Sequence, residues 1–205
     1  MSELIKNIDD YYTRKLKEFG ATAKGVDWNS DESQSLRFKK LLSMIETSSD
    51  FFSLLDYGCG FGSMYRYMNG KFKSFKYTGF DISSAMISEA EKIFRNEQAR
   101  WINSISDGKK YDYVIASGVF NVRLQNTDQA WLDYMHATIL EMNEISEKGF
   151  SFNALSRYSD ADKRKDYLYY ADPAYWFDYC KKNYSYRVAL LHDYPLYEFT
   201  IQVKK

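Results

Sequence analysis

Asp56, Gly58, Gly60 and Gly62 stand at alternate positions directly after a short apolar run, residues 51–55. The run is long enough for one buried strand, so the pattern predicts a strand that enters a tight glycine turn. Glycine reaches backbone angles that other residues avoid, and it has no side chain to keep a ligand from the peptide plane. This spacing therefore predicts a turn whose backbone binds a ligand.

Asp81 closes the next short apolar run, residues 77–80. If a helix joins the two strands in parallel, the glycine turn and Asp81 lie side by side at the carboxyl ends of the strands. An open α/β sheet binds its ligand at this edge. A carboxylate in that position can accept hydrogen bonds from both hydroxyls of a ribose, so we expect a ligand with an adenosine-like group.

This stretch resembles the first motif of the S-adenosylmethionine-dependent methyltransferases with a Rossmann-like fold, acid-x-Gly-x-Gly-x-Gly. Asp56 and the three glycines supply all four positions, and Asp81 matches the ribose-binding acid of that family. The order and spacing of the later segments agree with the family as far as the C-terminus. The resemblance implies S-adenosyl-L-methionine as the cofactor and methyl transfer as the activity.

The resemblance also implies cofactor contacts beyond the glycine turn. Ile82 follows the ribose-binding acid, and Ser117 follows the predicted fourth strand at residues 113–116. The family's adenine contacts align with the turn after a short third strand, although the usual Gly-Asp of that turn is missing. The aligned residues are Ile102, Asn103 and Ser104.

The glycine turn permits other interpretations. Gly58-x-Gly60-x-x-Ser63 is a degraded form of the dinucleotide fingerprint of NAD-type folds, and glycines can also serve a turn that binds nothing. The end of the chain favours the methyltransferase interpretation. Residues 186–191 and 196–203 are strand-like and only four residues apart, which predicts an antiparallel hairpin. The resembled family ends its sheet with an antiparallel last strand, whereas an ordinary dinucleotide-binding domain does not.

The predicted fold is α/β: a Rossmann-like sheet of seven mostly parallel strands, with helices on both faces and an antiparallel last strand. We assign residues 49–205 to the cofactor-binding domain and residues 1–48 to an N-terminal helical extension. Within the extension, apolar residues recur at helical spacing up to Phe19, and Asn29 is placed to cap a second helix.

The resemblance implies that this extension covers the cofactor as a lid. Trp28 would then contact the cofactor and Tyr12 the substrate, with Tyr11 and Arg37 as further candidates. The alternative is that these aromatic residues only pack the helices together and that Arg37 pairs with a surface carboxylate.

Candidates for catalysis and substrate binding follow the ends of the predicted fourth, fifth and sixth strands. Asn121 could orient a substrate by hydrogen bonding. His192 could act as a general base if the sixth strand is parallel to the first five, and the alternative is a polar turn residue. Asn153, Arg157 and Tyr158 follow the fifth strand and open a tyrosine-rich segment, which suits a pocket wall, a surface or a subunit interface.

Length and charge limit the classes of partner. The chain has 205 residues, which suits one domain, and its 28 basic residues balance its 28 acidic ones. This balance argues against nucleic acid and anionic membranes as partners. Two cysteines and no secretion signal indicate reduced thiols and a cytoplasmic protein. Two histidines and no dense carboxylate cluster lend little support to a metal site.

These observations predict a methyltransferase that methylates an O or N atom of a small-molecule metabolite by in-line displacement. Two alternatives remain from the sequence. One is a protein or RNA methyltransferase, and the other is a subunit that binds S-adenosylmethionine without catalysing transfer. The sequence specifies neither the acceptor nor the oligomeric state.

Overall fold

The computed structural model describes residues 3–26, 28, 30–45, 51–95, 98–106 and 108–205. Within these ranges one sheet of seven strands is joined by six α-helices and two short 3₁₀ segments. The strands are β1 Phe52–Tyr57, β2 Phe75–Phe80, β3 Ala99–Ile102, β4 Tyr111–Ala116, β5 Ser146–Leu155, β6 Arg187–Leu191 and β7 Glu198–Lys204. The helices are α1 Glu3–Phe19, α2 Asp31–Leu42, α3 Ser63–Asn69, α4 Ser84–Ile93, α5 Asp128–Ile145 and α6 Pro173–Asn183.

The strand order across the sheet is β3-β2-β1-β4-β5-β7-β6. The first five strands pair in parallel, and β7 lies antiparallel between β5 and β6. Since β6 is antiparallel to β7, it runs in the same direction as the first five strands. The predicted seven-stranded, mostly parallel sheet and its antiparallel last strand are confirmed.

Apolar side chains cover both faces of the sheet. Leu54 and Leu55 of β1 are both fully buried, and they point into different cores because successive strand residues face opposite sides. The core on the Leu55 side contains residues of α5 and α6, and the core on the Leu54 side contains residues of α2 and α3. A sheet buried on both faces explains why the central strands are almost continuously apolar.

Polar residues at the helix starts satisfy backbone N–H groups that have no partner inside the helix. The Ser30 side chain accepts a hydrogen bond from the Ser33 N–H at the start of α2, and Thr127 accepts one from Ala130 at the start of α5. The predicted cap Asn29 lies outside the described residues. No helix among the residues described is long and apolar enough to cross a membrane.

The N-terminal helices pack directly on the sheet domain. The Thr13 and Ser83 hydroxyls are 2.9 Å apart, which joins α1 to the residue before α4. Helix α2 is tied to β7 by an ion pair between Arg37 and Glu198, and both side chains are almost fully buried. The alternative that Arg37 pairs with a surface carboxylate is therefore wrong. The predicted boundary between residues 48 and 49 lies outside the described ranges, so the division into two units stays a prediction.

Candidate functional site

The glycine turn after β1 is held against the end of β2. The Gly58 N–H donates to the Phe80 carbonyl at 2.8 Å. Gly58 and Gly62 have φ angles of 77° and 91°, which side chains disfavour. A Cβ on Gly58 would lie 2.5 Å from Cγ2 of Val119, and one on Gly62 would lie 2.5 Å from the Trp101 ring. Backbone conformation and packing both require glycine at these two positions.

Asp81 is joined to the glycine turn, as its predicted position requires. Its Oδ2 accepts from the Gly60 N–H at 2.8 Å, and its Oδ1 accepts from the Ser83 N–H at 2.9 Å. Burial raises the pKa of Asp81 to about 6, while these two hydrogen bonds favour the charged form and oppose the rise. The carboxylate is thus fixed in orientation and still mostly ionised at neutral pH.

Asp56, the acid at the start of the motif, lies below the turn and is 2% exposed. Its Oδ2 accepts a hydrogen bond of 2.5 Å from the Tyr77 hydroxyl. The pKa of Asp56 is raised to about 7, mainly by burial and also by the nearby charge of Asp81, while the Tyr77 hydrogen bond opposes the rise. The two acids of the motif therefore share one low-dielectric region.

The first cavity lies at the carboxyl ends of β1, β2 and β4. Its walls include most of the predicted cofactor residues, and the N-terminal segment covers it. The strands and the turns that follow them contribute, among others, Asp56, Tyr57, Gly58, Gly60, Asp81, Ile82 and Ser117, and α5 contributes Tyr134. The N-terminal segment contributes Ile8, Tyr12, Val26, Trp28, Gln34 and Phe38. Ser117 Oγ is buried there without a hydrogen-bond partner among the described residues.

A second cavity, of about 470 Å³, adjoins the first. The two share Tyr12, Val26, Trp28 and Gly118. A Cβ on Gly118 would lie 2.3 Å from the Trp28 ring, so the indole lies directly on the backbone after β4. On the second-cavity side, the guanidinium carbon of Arg37 is 4.0 Å from the Trp28 ring centroid.

The structure brings most predicted cofactor residues together and leaves some outside. Asn121 lines the second cavity, and its Oδ1 accepts from the Leu155 N–H at 3.1 Å. Gly62 is the residue before α3 and packs on Trp101, so it shapes the turn from outside the cavity wall. The aligned adenine-contact residues line neither cavity, and Asn103 donates to the Ser84 hydroxyl at 3.3 Å. These are Ile102, Asn103 and Ser104.

The predicted placement of His192 on the ligand edge of the sheet is confirmed, but His192 does not reach either cavity. Its strand does run parallel to the first five, but β7 lies between β5 and β6 and moves the end of β6 one strand further away. His192 is exposed, lines neither cavity, and its ring centroid is 6.1 Å from that of Tyr158. This position corresponds to the turn interpretation of His192.

The three predicted substrate residues at the end of β5 and after it also lie outside both cavities. Arg157 pairs with Asp172 at 2.7 Å, and Tyr158 is 67% exposed. Asn153 is fully buried, where its Oδ1 accepts from the Gly118 N–H at 2.8 Å and its Nδ2 donates to Glu198 at 2.7 Å. Asn153 therefore positions the backbone after β4 and has no surface that a substrate can reach.

Sequence reasoning missed Glu198, which connects Arg37 and Asn153 inside the protein. The available signal was a carboxylate at the start of an otherwise apolar, alternating strand. A charge in such a strand needs a buried partner. Tyr134 was also missed, because its place in α5 fits an ordinary amphipathic helix.

Comparisons with known proteins agree with this site. Residues 55–140 match a family model described as a methyltransferase domain. The Mycobacterium tuberculosis (strain ATCC 25618 / H37Rv) protein named “Putative methyltransferase Rv1506c” is 46% identical over 162 residues. The match covers 78% of this chain and 98% of that protein.

Solved structures share the fold at low sequence identity. The magnesium protoporphyrin IX methyltransferase of Synechocystis PCC 6803 with bound S-adenosylhomocysteine has a TM-score of 0.64 and 14% identity, covering 98% of this chain and 95% of its own. The plantazolicin methyltransferase BpumL, in complex with a pentazolic desmethylPZN analog and S-adenosylhomocysteine, has a TM-score of 0.60 and 15% identity over 100% of both chains. The fold, the family match and the 46%-identical relative together show that this chain belongs to the Rossmann-like S-adenosylmethionine-dependent methyltransferases.

Proposed function

We propose that this methyltransferase methylates an O or N atom of a small molecule that binds in the second cavity. The observation that carries the proposal is the junction of the two cavities at Trp28 and Gly118. A volume of about 470 Å³ falls within the usual range for small-ligand pockets, about 300–1,000 Å³. The N-terminal segment would thus cover both the acceptor and the cofactor where they meet.

The first cavity offers groups that fit S-adenosyl-L-methionine. Each Asp81 oxygen accepts one backbone N–H and keeps a lone pair for a ribose hydroxyl. Gly58 and Gly60 line the cavity with backbone atoms alone. The unpartnered Ser117 Oγ is satisfied if a ligand supplies a polar atom, since a buried hydroxyl without a partner is unfavourable. When bound, S-adenosyl-L-methionine supplies a methyl group on a positively charged sulfur that is already a good leaving group.

The protein's contribution is alignment and exclusion of water. Trp28, Tyr12 and Val26 cover the junction between the cavities and restrict solvent there. Two hydrogen bonds hold Asn121 in place. Its side-chain Oδ1 accepts from the Leu155 N–H, and its backbone carbonyl accepts from the Tyr169 N–H at 2.8 Å. We propose that Asn121 orients the acceptor within the second cavity.

Calorimetric titration with S-adenosylmethionine, S-adenosylhomocysteine and NAD tests the cofactor site. We expect the wild type to bind the first two and not NAD. Replacing Asp81 by alanine should weaken S-adenosylhomocysteine binding about tenfold or more, because hydrogen bonds to a charged group contribute about 1.5–3 kcal/mol. Asp162→Ala, at an exposed carboxylate, is the matched control and should leave affinity unchanged.

Binding of NAD alone would contradict the assignment of the first cavity. The acceptor is then sought by screening hydroxylated and amino metabolites, with release of S-adenosylhomocysteine as the readout. Turnover with bulk protein or RNA, and with no small molecule, would contradict the proposed acceptor class.

A further inference from the structure

Arg37 is a buried cation with one donor group unused. Its Nε and Nη2 donate to the Glu198 carboxylate at 2.6–2.9 Å, and its side chain is 6% exposed. Its Nη1 is buried and has no hydrogen-bond partner among the described residues. A buried donor in this state is unfavourable in the free protein, and a ligand that accepts from it would remove that penalty.

The guanidinium is held rigidly at the wall of the second cavity. One face of the guanidinium lies on the Trp28 ring, and the Glu198 carboxylate holds the edge formed by Nε and Nη2. Arginine N–H groups donate strong hydrogen bonds to the oxygens of carboxylate and phosphate, and this side chain has little entropy left to lose because it is already held in place. Nη1 is therefore prepared for an acceptor atom on a ligand.

The remaining charges of the second cavity are all positive. Lys15, Lys24 and Lys165 line it together with Arg37, and no Asp or Glu is among the described residues that line it. Because Glu198 neutralises Arg37, the exposed Lys24 and Lys165 supply the net positive charge. The whole chain is neutral, so this local excess stands out from the rest of the surface and favours an anion.

We propose that the second cavity recognises an anionic group, a carboxylate or phosphate, on the methyl acceptor. Arg37 Nη1 donates a hydrogen bond to this group, and Lys24 and Lys165 contribute electrostatic attraction. This proposal rests on the proposed function, because it assigns the second cavity to the acceptor. It narrows the acceptor from any small molecule to an anionic one.

The test uses the full chain saturated with S-adenosylhomocysteine, so that the cofactor's own carboxylate is already bound. Inorganic phosphate and benzoate are titrated separately, and benzamide serves as the neutral counterpart of benzoate. The readout is the Trp28 indole N–H signal in ¹H–¹⁵N spectra. We expect a saturable shift with at least one anion and none with benzamide, and the preferred anion distinguishes phosphate from carboxylate recognition.

Variants locate the binding site. Lys24→Ala combined with Lys165→Ala removes two exposed charges of the cavity and should weaken anion binding about tenfold. Arg37→Gln combined with Glu198→Gln removes the charge pair together and should abolish saturable binding. Lys39→Ala, an exposed lysine of α2 outside both cavities, is the matched control and should have no effect.

Three results would overturn the proposal while S-adenosylhomocysteine still binds. These are the absence of a saturable anion shift, an equal shift with benzamide, or equal weakening by Lys39→Ala. If S-adenosylhomocysteine itself does not bind, the proposed function is wrong, and this proposal, which rests on it, is wrong as well.

Discussion

The two acids of the cofactor motif have different surroundings, although burial raises the pKa of both. Asp81 accepts two backbone N–H groups and has a pKa of about 6, whereas Asp56 accepts the Tyr77 hydroxyl and has a pKa of about 7. Asp81 is therefore the acid that is mostly ionised at neutral pH. Only the ionised form offers all of its lone pairs to ribose hydroxyls.

Cofactor affinity should depend on pH through Asp81. Ribose binding favours the charged carboxylate, so the pKa of Asp81 is lower in the complex than the value of about 6 in the free protein. Affinity for S-adenosylhomocysteine should then be constant above pH 7 and fall below about pH 6, by up to about tenfold per pH unit. Calorimetry between pH 5 and 8 measures this slope.

Asp81→Asn should remove the pH slope, since an amide does not titrate. Asp193→Asn is a suitable control, because the ordinary pKa of an aspartate already lies below this range and the Lys40 ammonium lowers the pKa of the exposed Asp193 further. Wild-type affinity that stays flat from pH 7 to pH 5 would show that the charge of Asp81 contributes nothing to cofactor binding.

The individual strands of the sheet could be predicted from local sequence patterns. Which elements lie next to each other in space could be predicted only in part. Short apolar runs next to glycines or acids predicted β1, β2 and β4 because buried parallel strands need continuous apolar residues. The insertion of β7 between β5 and β6 leaves no local pattern, so the sequence did not show that His192 would lie outside both cavities. Arg37 and Glu198 are 161 positions apart, so their pairing also had no local signal.

The link between α2 and β7 should contribute strongly to stability. Arg37→Met leaves Glu198 buried without its counter-charge, and breaking a buried ion pair in this way costs about 3–5 kcal/mol. Arg37→Met combined with Glu198→Gln should lose less, because the glutamine carbonyl can still accept from Asn153. Urea unfolding monitored by tryptophan fluorescence gives these free energies.

An exposed ion pair between the same two regions provides the control. Lys40 of α2 pairs with Asp193, whose side chain is 69% exposed. Lys40→Met should change the free energy of unfolding by about 0–1 kcal/mol, as is usual for surface pairs. If Arg37→Met lowers stability no more than Lys40→Met does, the buried pair does not hold α2 on the sheet.

At the scale of the whole molecule, the N-terminal segment covers the carboxyl edge of the sheet. Ile8, Tyr12, Val26 and Trp28 line the first cavity, although they precede every strand in the chain. Ile8 also belongs to the core on the α5 side, so α1 both packs on the sheet domain and covers the cavity. A cover of this kind limits access to both cavities, which favours a small acceptor over a large one.

Removing residues 1–30 should therefore weaken cofactor binding while the rest of the chain still folds. The shortened chain keeps α2, the seven strands and nearly all of both cores, so we expect a cooperative unfolding transition and the circular dichroism of an α/β protein. Its affinity for S-adenosylhomocysteine should fall about tenfold or more, because four lining side chains are lost and the cavity opens to water. Full-length Tyr12→Ala and Trp28→Ala variants, which keep α1 in place, should each show part of this loss. Undiminished affinity in a folded, shortened chain would mean that the sheet edge alone holds the cofactor and that the N-terminal segment serves only the acceptor.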